Sequence, residues 1–206
     1  MSYDTYIFAF NNTLFDTRKG YEASYKKVFD SFGIAYDPAK YRQYFETPLH
    51  IIFESNFPEH PCKYREFVAE FYKEADKKVI GTAIPYSDTV DVIKRLTGSG
   101  KNIAIVSSSP KAYIENILKN NGMEDLFKVI IGFEGSMVQK PDPYSINVCI
   151  KKLGAEKKNC VYIGGNLTDI EAAKRAGIGK IFVDRMKNRE LVDADMIISD
   201  LTELTL

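Results

Sequence analysis

Short apolar runs of four to six residues recur along the chain, separated by more polar stretches. The runs are nearly continuous in hydrophobicity and rich in β-branched or aromatic residues, which is typical of strands buried on both faces of a sheet. The predicted strands are residues 5–10, 102–107, 128–132, 160–164, 179–183 and 195–198.

Between these runs the apolar residues follow helical spacing, which predicts helices over residues 87–97, 110–121 and 143–153. Pro110 and Pro143 are predicted in the first turns of two of them, and Gly122 and Gly154 just past their ends. Because strands and helices alternate, we expect an α/β fold, a Rossmann-like, doubly wound parallel sheet covered on both faces.

Residues 17–84 interrupt this alternation, because they show helical periodicity and no convincing strand. Their aromatic stripes are interpreted as packing core rather than as a ligand cage, since helical spacing alone predicts them. The sequence therefore predicts a core domain of residues 1–16 and 85–206, with an α-helical subdomain inserted at residues 17–84.

Composition narrows the function classes. Lys plus Arg and Asp plus Glu number 28 each, so there is no electrostatic case for nucleic acid or a membrane as partner. The sequence has no leader pattern and no apolar run of about eighteen residues, so we expect a cytoplasmic protein.

Cys62, Cys149 and Cys160 lack metal-site spacing and are expected as reduced, mostly core residues. His50 and His60 lack neighbouring ligand-type residues and are expected at the surface or in packing.

Polar motifs follow the predicted strands at their carboxyl ends, where a doubly wound sheet binds its ligands. They read AFNNTLFD at residues 9–16, VSSSPK at 106–111, QKPDP at 139–143 and IGGNLTD at 163–169. Each motif alone is weak evidence, but their order and intervals together are specific.

This set resembles the motifs of the haloacid dehalogenase-like phosphatase superfamily, in the branch of the phosphoglycolate phosphatases and β-phosphoglucomutases. The resemblance spans essentially the whole chain, and it implies that the helical insertion is the family's cap. The family has D-x-D-G-T-L-x-D after the first strand. Its first aspartate forms the phosphoenzyme and its second is the acid/base. Mg²⁺ is held by the first aspartate, the main-chain carbonyl of the second and acids of the fourth motif.

The sequence departs from that pattern where the chemistry is done. The nucleophile position is Ala9, the acid/base position is Asn11, the following glycine is Asn12, and the leading acid of the fourth motif is Gly165. An alanine cannot attack phosphorus, and an amide cannot shuttle a proton. The resemblance therefore implies no competent catalytic residue, with Ala9, Asn11 and Gly165 as vestigial positions. Asp169 and the main-chain carbonyl of Asn11 are vestigial metal positions and too few for Mg²⁺, so no cofactor is expected.

The motif residues that remain indicate an anion site of near-zero charge, since Asp169 and Lys140 balance each other. In the family that the motifs resemble, a Ser or Thr hydroxyl and the lysine hold the phosphoryl oxygens, and the resemblance implies phosphate binding by Ser107, Ser108, Lys140, Asn12 and Thr13.

Structural alternatives stay open for several of these residues. Ser107 could simply end its strand and Ser109 cap the next helix. Asp169 is more readily explained by a capping box over residues 168–171, T-x-x-E, than as a metal ligand. Asp16 is expected to be a structural hydrogen-bonding residue.

Three hypotheses of function follow from these residues. The favoured one is a pseudoenzyme that binds inorganic phosphate, a phosphorylated small molecule or a protein partner. The second is a Mg²⁺-dependent phosphatase of a small phosphorylated metabolite, with Asp16 or Asp142 as relocated catalytic group. It is disfavoured, because attack requires an approach of about 3–3.5 Å that a displaced acid does not reach. The third is a protein-interaction module with an unused crevice.

Overall fold

The computed structural model describes residues 3–40, 43–44, 47, 49–57, 63–133, 138–187 and 192–204. The chain divides into two compact units. The first consists of Met1–Asp16 and Ile84–Leu206, and the second consists of Thr17–Ala83.

A parallel sheet of six strands forms the centre of the first unit, in the order β5-β4-β1-β6-β7-β8. A short antiparallel ribbon of β2 and β3 was not predicted, because strands of two residues leave no periodicity in a sequence. The strands are β1 (Thr5–Phe8), β2 (Phe15–Asp16), β3 (Ile84–Pro85), β4 (Asn102–Val106), β5 (Val129–Ile131), β6 (Cys160–Gly164), β7 (Gly179–Val183) and β8 (Met196–Ile198). The α/β, doubly wound parallel sheet predicted from the sequence is confirmed.

Helices occur in both units. They are α1 (Arg18–Ser31), α2 (Leu49–Asn56) and α3 (Tyr64–Ile80) in the second unit, and α4 (Thr89–Gly98), α5 (Lys111–Asn120), α6 (Tyr144–Leu153) and α7 (Leu167–Ala176) in the first. Helix α6 packs on β4 and β5, and α7 packs on β6 and β7. Within the described ranges, no helix is long and apolar enough to cross a membrane.

The ends of these helices differ in detail from the predicted ones. Pro110 and Pro143 are the N-cap residues of α5 and α6 rather than members of their first turns, so both helices begin one residue later. Gly154 ends α6 in the left-handed conformation, at φ 62°, which a residue with a Cβ adopts only at a cost.

The core on one face of the sheet is made of β-strand residues and the inner faces of α6 and α7. Cys149 and Cys160 belong to this buried cluster, as predicted, together with Ile7, Ala9 and Tyr162. Burial raises the pKa of the Cys149 thiol to about 12, so it stays protonated and unreactive near neutral pH.

The second unit is built on the packing of α1 against α3. The predicted aromatic stripes form its core, with the rings of Tyr25 and Phe71 only 4.6 Å apart between centroids. His50 is exposed, as expected, whereas His60 and Cys62 lie outside the described residues.

Candidate functional site

The candidate site lies at the carboxyl edge of the central strands, called here the crevice. Strand β1 is flanked by β4 and β6, and all three run parallel, so the loops that follow them lie at the same edge. The chain moves outward from β1 to β4 and β5 and then returns to β6 on the other side. This reversal is the switch point at which doubly wound sheets bind ligands.

A buried ion pair between Lys140 and Asp169 is the charged centre of the crevice. The Lys140 ammonium lies 2.5 Å from Oδ1 of Asp169, and the two side chains are 8 % and 0 % exposed. The charges of Lys140 and Asp169, which were predicted to balance, are thus in direct contact. Water and salt screen a buried pair much less than an exposed one.

Tyr162 on β6 is a third member of this group, which the sequence analysis missed. Lys140 donates to the Tyr162 hydroxyl at 2.9 Å, and that hydroxyl donates to the carbonyl of Val106 at 2.7 Å. Burial raises the pKa of Tyr162 well above its usual value, so the phenol stays neutral. In the sequence its position inside an apolar strand indicated only core packing.

Asp169 also stabilises the start of α7, but not through the predicted residues 168–171. The helix begins at Leu167, two residues earlier than that box implies, and Asn166 and Asp169 form the capping box. Oδ2 of Asp169 accepts from the Asn166 main-chain N–H at 3.1 Å, so each carboxylate oxygen of Asp169 has a partner. A carboxylate in the first turn is also favoured by the helix dipole.

Two serines after β4 connect this strand to the loop after β1. Ser107 Oγ accepts from the main-chain N–H of Ser109 at 3.1 Å, and Ser109 Oγ accepts from the Asn11 side-chain amide at 2.9 Å. The expectation that Ser109 caps α5 is therefore wrong: Pro110 holds the N-cap position, and Ser109 is turned to Asn11 instead. Asn11 thus acts as a hydrogen-bond donor that joins two strand ends.

Three of the predicted anion-binding residues line one small recess that opens to the solvent. They are Ser107, Ser108 and Lys140, and the other residues around the recess are Val106, Phe133, Val138, Gln139 and Ser145. Ser107 is buried and Ser108 is exposed, so one hydroxyl lies at the base and the other nearer the solvent. Gln139 and Ser145 add polar groups that the motif comparison did not identify.

The other two predicted anion-binding residues, Asn12 and Thr13, do not line this recess. Both are buried, and Asn12 adopts a left-handed conformation at φ 55° within the tight turn after β1. Its main-chain N–H donates to the Phe15 carbonyl at 2.9 Å. Among the described residues, Asn12 Oδ1 and Thr13 Oγ1 have no hydrogen-bond partner.

The residues around Gly165 do not fit the divalent cation that the family resemblance implies. A Cβ on Gly165 would lie only 2.6 Å from the Asn12 carbonyl oxygen, so an acidic side chain cannot begin there without moving the loop. Asp169 is committed to Lys140 and Asn166. In the described part of the chain, no three His, Cys, Asp or Glu side chains come together as metal ligands. Mg²⁺ prefers octahedral oxygen coordination with carboxylates, which this donor set does not offer.

Comparisons with known proteins agree with the fold. The sequence profile of haloacid dehalogenase-like hydrolases matches residues 6–183. A solved structure of a putative haloacid dehalogenase-like hydrolase from Bacteroides fragilis superposes with a TM-score of 0.91 at 27 % identity, covering 99 % of this chain and 100 % of that one.

Curated relatives give the same picture at lower coverage. The pyrophosphatase PpaX of Halalkalibacterium halodurans is 27 % identical over 183 residues, which is 86 % of this chain and 82 % of the relative. A phosphoglycolate phosphatase of Colwellia psychrerythraea is 31 % identical over 99 residues, or 48 % of this chain and 44 % of the relative. The chain thus matches less than half the length of that relative.

Proposed function

The chain belongs to the haloacid dehalogenase-like hydrolase family, and we propose that it binds inorganic phosphate or a phosphorylated small molecule without hydrolysing it. The proposal rests on two features taken together. The lysine of the family motif is present as Lys140, whereas the position of the family's nucleophilic carboxylate is occupied by Ala9. Lys140 lines a recess with Ser107, while Ala9 stands where the family resemblance puts the nucleophile. Ala9 is 3 % exposed and packs in the hydrophobic cluster, with no group that could attack phosphorus.

Hydrogen-bond donors for an anion remain at this recess. An ammonium has three N–H groups, and Lys140 uses two of them on Tyr162 and Asp169. The Ser107 hydroxyl accepts from Ser109, which leaves its own hydrogen for another acceptor. Charge-assisted hydrogen bonds to phosphate oxygens are about twice as strong as neutral ones, so few donors suffice. The phosphatase names of the relatives support a phosphorylated ligand.

A relocated catalytic carboxylate has less support. Asp142 Oδ1 accepts from the main-chain N–H of Tyr144 at 2.8 Å and so stabilises the turn that leads into α6. That carboxylate serves the local backbone, which accounts for its presence without a catalytic role. If the protein bound no phosphate or phosphorylated compound, a role in protein interaction would be favoured instead.

Calorimetric titration with inorganic phosphate, in the presence of a chelator, tests the proposal. We expect saturable binding to the unaltered protein whose affinity does not change when Mg²⁺ replaces the chelator. The double variant Lys140→Met, Asp169→Asn removes both charges together, so that no unpaired carboxylate is left in the core. We expect its phosphate affinity to fall by about tenfold or more, since hydrogen bonds to charged groups are each worth about 1.5–3 kcal/mol.

The matched control is Lys174→Met, because Lys174 is an exposed lysine that pairs with Asp193 away from the recess. We expect it to bind phosphate like the unaltered protein. Binding that requires Mg²⁺, or no binding of phosphate, sugar phosphates or nucleotides, would contradict the proposal.

A further inference from the structure

Arg185 is a buried cation that no motif of the sequence indicated. It lies two residues after the end of β7, at the same edge of the sheet as the crevice, and its side chain is only 7 % exposed. Its Nη2 donates to the carbonyl of Thr13 at 2.8 Å. The arginine therefore reaches from the β7 end to the tight turn after β1.

The position of Arg185 is itself fixed from two sides. Asp88, with a side chain 6 % exposed, accepts from both terminal nitrogens at 2.8 and 3.0 Å, and it also accepts from the main-chain N–H of Leu201 at 2.5 Å. The guanidinium lies over the Tyr86 ring, 4.1 Å from its centroid. The planar guanidinium of Arg185 is held by the Asp88 carboxylate and by the Tyr86 ring, so it has little freedom to move. A lysine ammonium could not make the same two-pronged contact.

The turn that Arg185 contacts is closed around Gly165. The Asn12 carbonyl lies against the Gly165 main chain, and the Asn11 amide bonds Ser109. Arg185, which donates to the Thr13 carbonyl, and Ser109, which accepts from the Asn11 amide, thus hold both ends of the same short segment.

We propose that Arg185 is a positioning residue that holds residues 11–15 in the conformation required for anion binding in the crevice. This proposal rests on the proposed function, but its structural part is measured separately. Arg185 contacts the Thr13 carbonyl, and neither it nor residues 11–15 line the recess. It therefore acts on the anion through the hydrogen bonds from the Asn11 amide to Ser109 and from the Ser109 N–H to Ser107, which does line the recess.

The test is amide hydrogen exchange of Asn12, Leu14 and Phe15, whose N–H groups are bonded to Phe15 and Phe10 carbonyls. It is combined with phosphate titration. The double variant Arg185→Met, Asp88→Asn removes both charges and keeps an oxygen that accepts from Leu201, so no buried charge is left unpaired. We expect these amides to exchange about tenfold faster or more, because a charged hydrogen bond to the loop is lost. Phosphate affinity should fall in parallel.

Arg185→Lys keeps the charge without the fork and should give an intermediate exchange rate and affinity. Arg95→Met is the control, because Arg95 also donates to a main-chain carbonyl, that of Leu204, at 2.9 Å but away from the loop. It should leave both readouts unchanged.

Unchanged exchange of the three amides in the double variant would overturn the proposal, whether or not phosphate binds. Faster exchange with unaltered phosphate affinity would also overturn it, since the loop would then not serve the anion. If the unaltered protein binds no phosphate, the proposed function fails, whereas the exchange rates still decide whether Arg185 holds the loop.

Discussion

At the scale of single residues, the charges of the crevice are balanced by protein groups. Asp169 is fully buried, and its oxygens are taken by Lys140 and the Asn166 N–H. Breaking a buried pair by removing one partner costs about 3–5 kcal/mol, because the remaining charge is uncompensated. The proposed anion is therefore expected at the third N–H of Lys140, with Asp169 left in place. This favours a weakly bound phosphate group over a mechanism that moves the lysine.

The contact between Gly165 and the Asn12 carbonyl gives a prediction for a single methyl group. Gly165→Ala would place a Cβ 2.6 Å from that backbone oxygen, so the loop must shift. Overpacking of this kind costs about 1–3 kcal/mol, and we expect the free energy of unfolding in urea to fall by that amount. Refilling the position with aspartate meets the same obstacle, so restoring the family's acids alone should not restore a metal site.

Gly98→Ala is the control for this change. Gly98 ends α4 with no heavy atom within 4 Å of its added Cβ, so the substitution should be neutral or slightly stabilising. A Gly165→Ala variant as stable as the unaltered protein would show that the loop is not packed on Gly165.

At the scale of elements, the sequence predicted two strands with their observed bounds. The ranges 160–164 and 179–183 coincide with β6 and β7, because their apolar runs end where the polar loops begin. The strand predicted at residues 5–10 is two residues longer than β1, which ends at Phe8. Ala9 and Phe10 are buried although they lie outside the sheet. Because hydrophobicity in a sequence indicates burial and not hydrogen bonding between strands, the apolar run could not show where the strand ends.

Helix starts depended on side-chain contacts that spacing does not reveal. The sequence offered T-x-x-E at residues 168–171, but Asn166 begins α7 because Asp169 reaches back to its N–H. Asn166 and Thr168 lie two positions apart, asparagine is the better N-cap, and Asp169 at the third helical position completes the capping box of Asn166.

The start of α4 gives a prediction at this scale. Thr89 is buried, and its hydroxyl donates to the Leu14 carbonyl at 2.8 Å, which ties α4 to the loop after β1. Thr89→Val removes this bond, and we expect the free energy of unfolding to fall by about 1 kcal/mol. Chemical denaturation measures it.

Thr97→Val on the same helix is the matched control. The Thr97 hydroxyl donates to the Ile93 carbonyl of its own helix at 2.9 Å, and the residue is exposed. We expect little change in stability, since surface substitutions of this kind usually stay within about 0.5 kcal/mol. Equal effects at the two positions would argue against a special role for the Thr89 tie.

At the scale of the whole molecule, the candidate site was only partly readable from the sequence. Motif order identified Ser107, Lys140 and Asp169, because residues after parallel strands share one edge of the sheet. Tyr162 and Arg185 were missed, since a tyrosine inside a strand and a charge after one have common structural explanations. Only the packed sheet brings the Tyr162 hydroxyl to Lys140 and the Arg185 fork to the Thr13 carbonyl.

The most direct test of the proposed function is the hydrolysis of p-nitrophenyl phosphate in the presence of Mg²⁺. It is measured on the unaltered protein and on the Lys140→Met, Asp169→Asn variant, with folding of both verified by thermal unfolding. We expect both rates to equal that of the protein-free solution, because Ala9 and Asn11 supply neither nucleophile nor proton shuttle. Hydrolysis by the unaltered protein that the crevice variant lacks would contradict a non-hydrolytic anion binder.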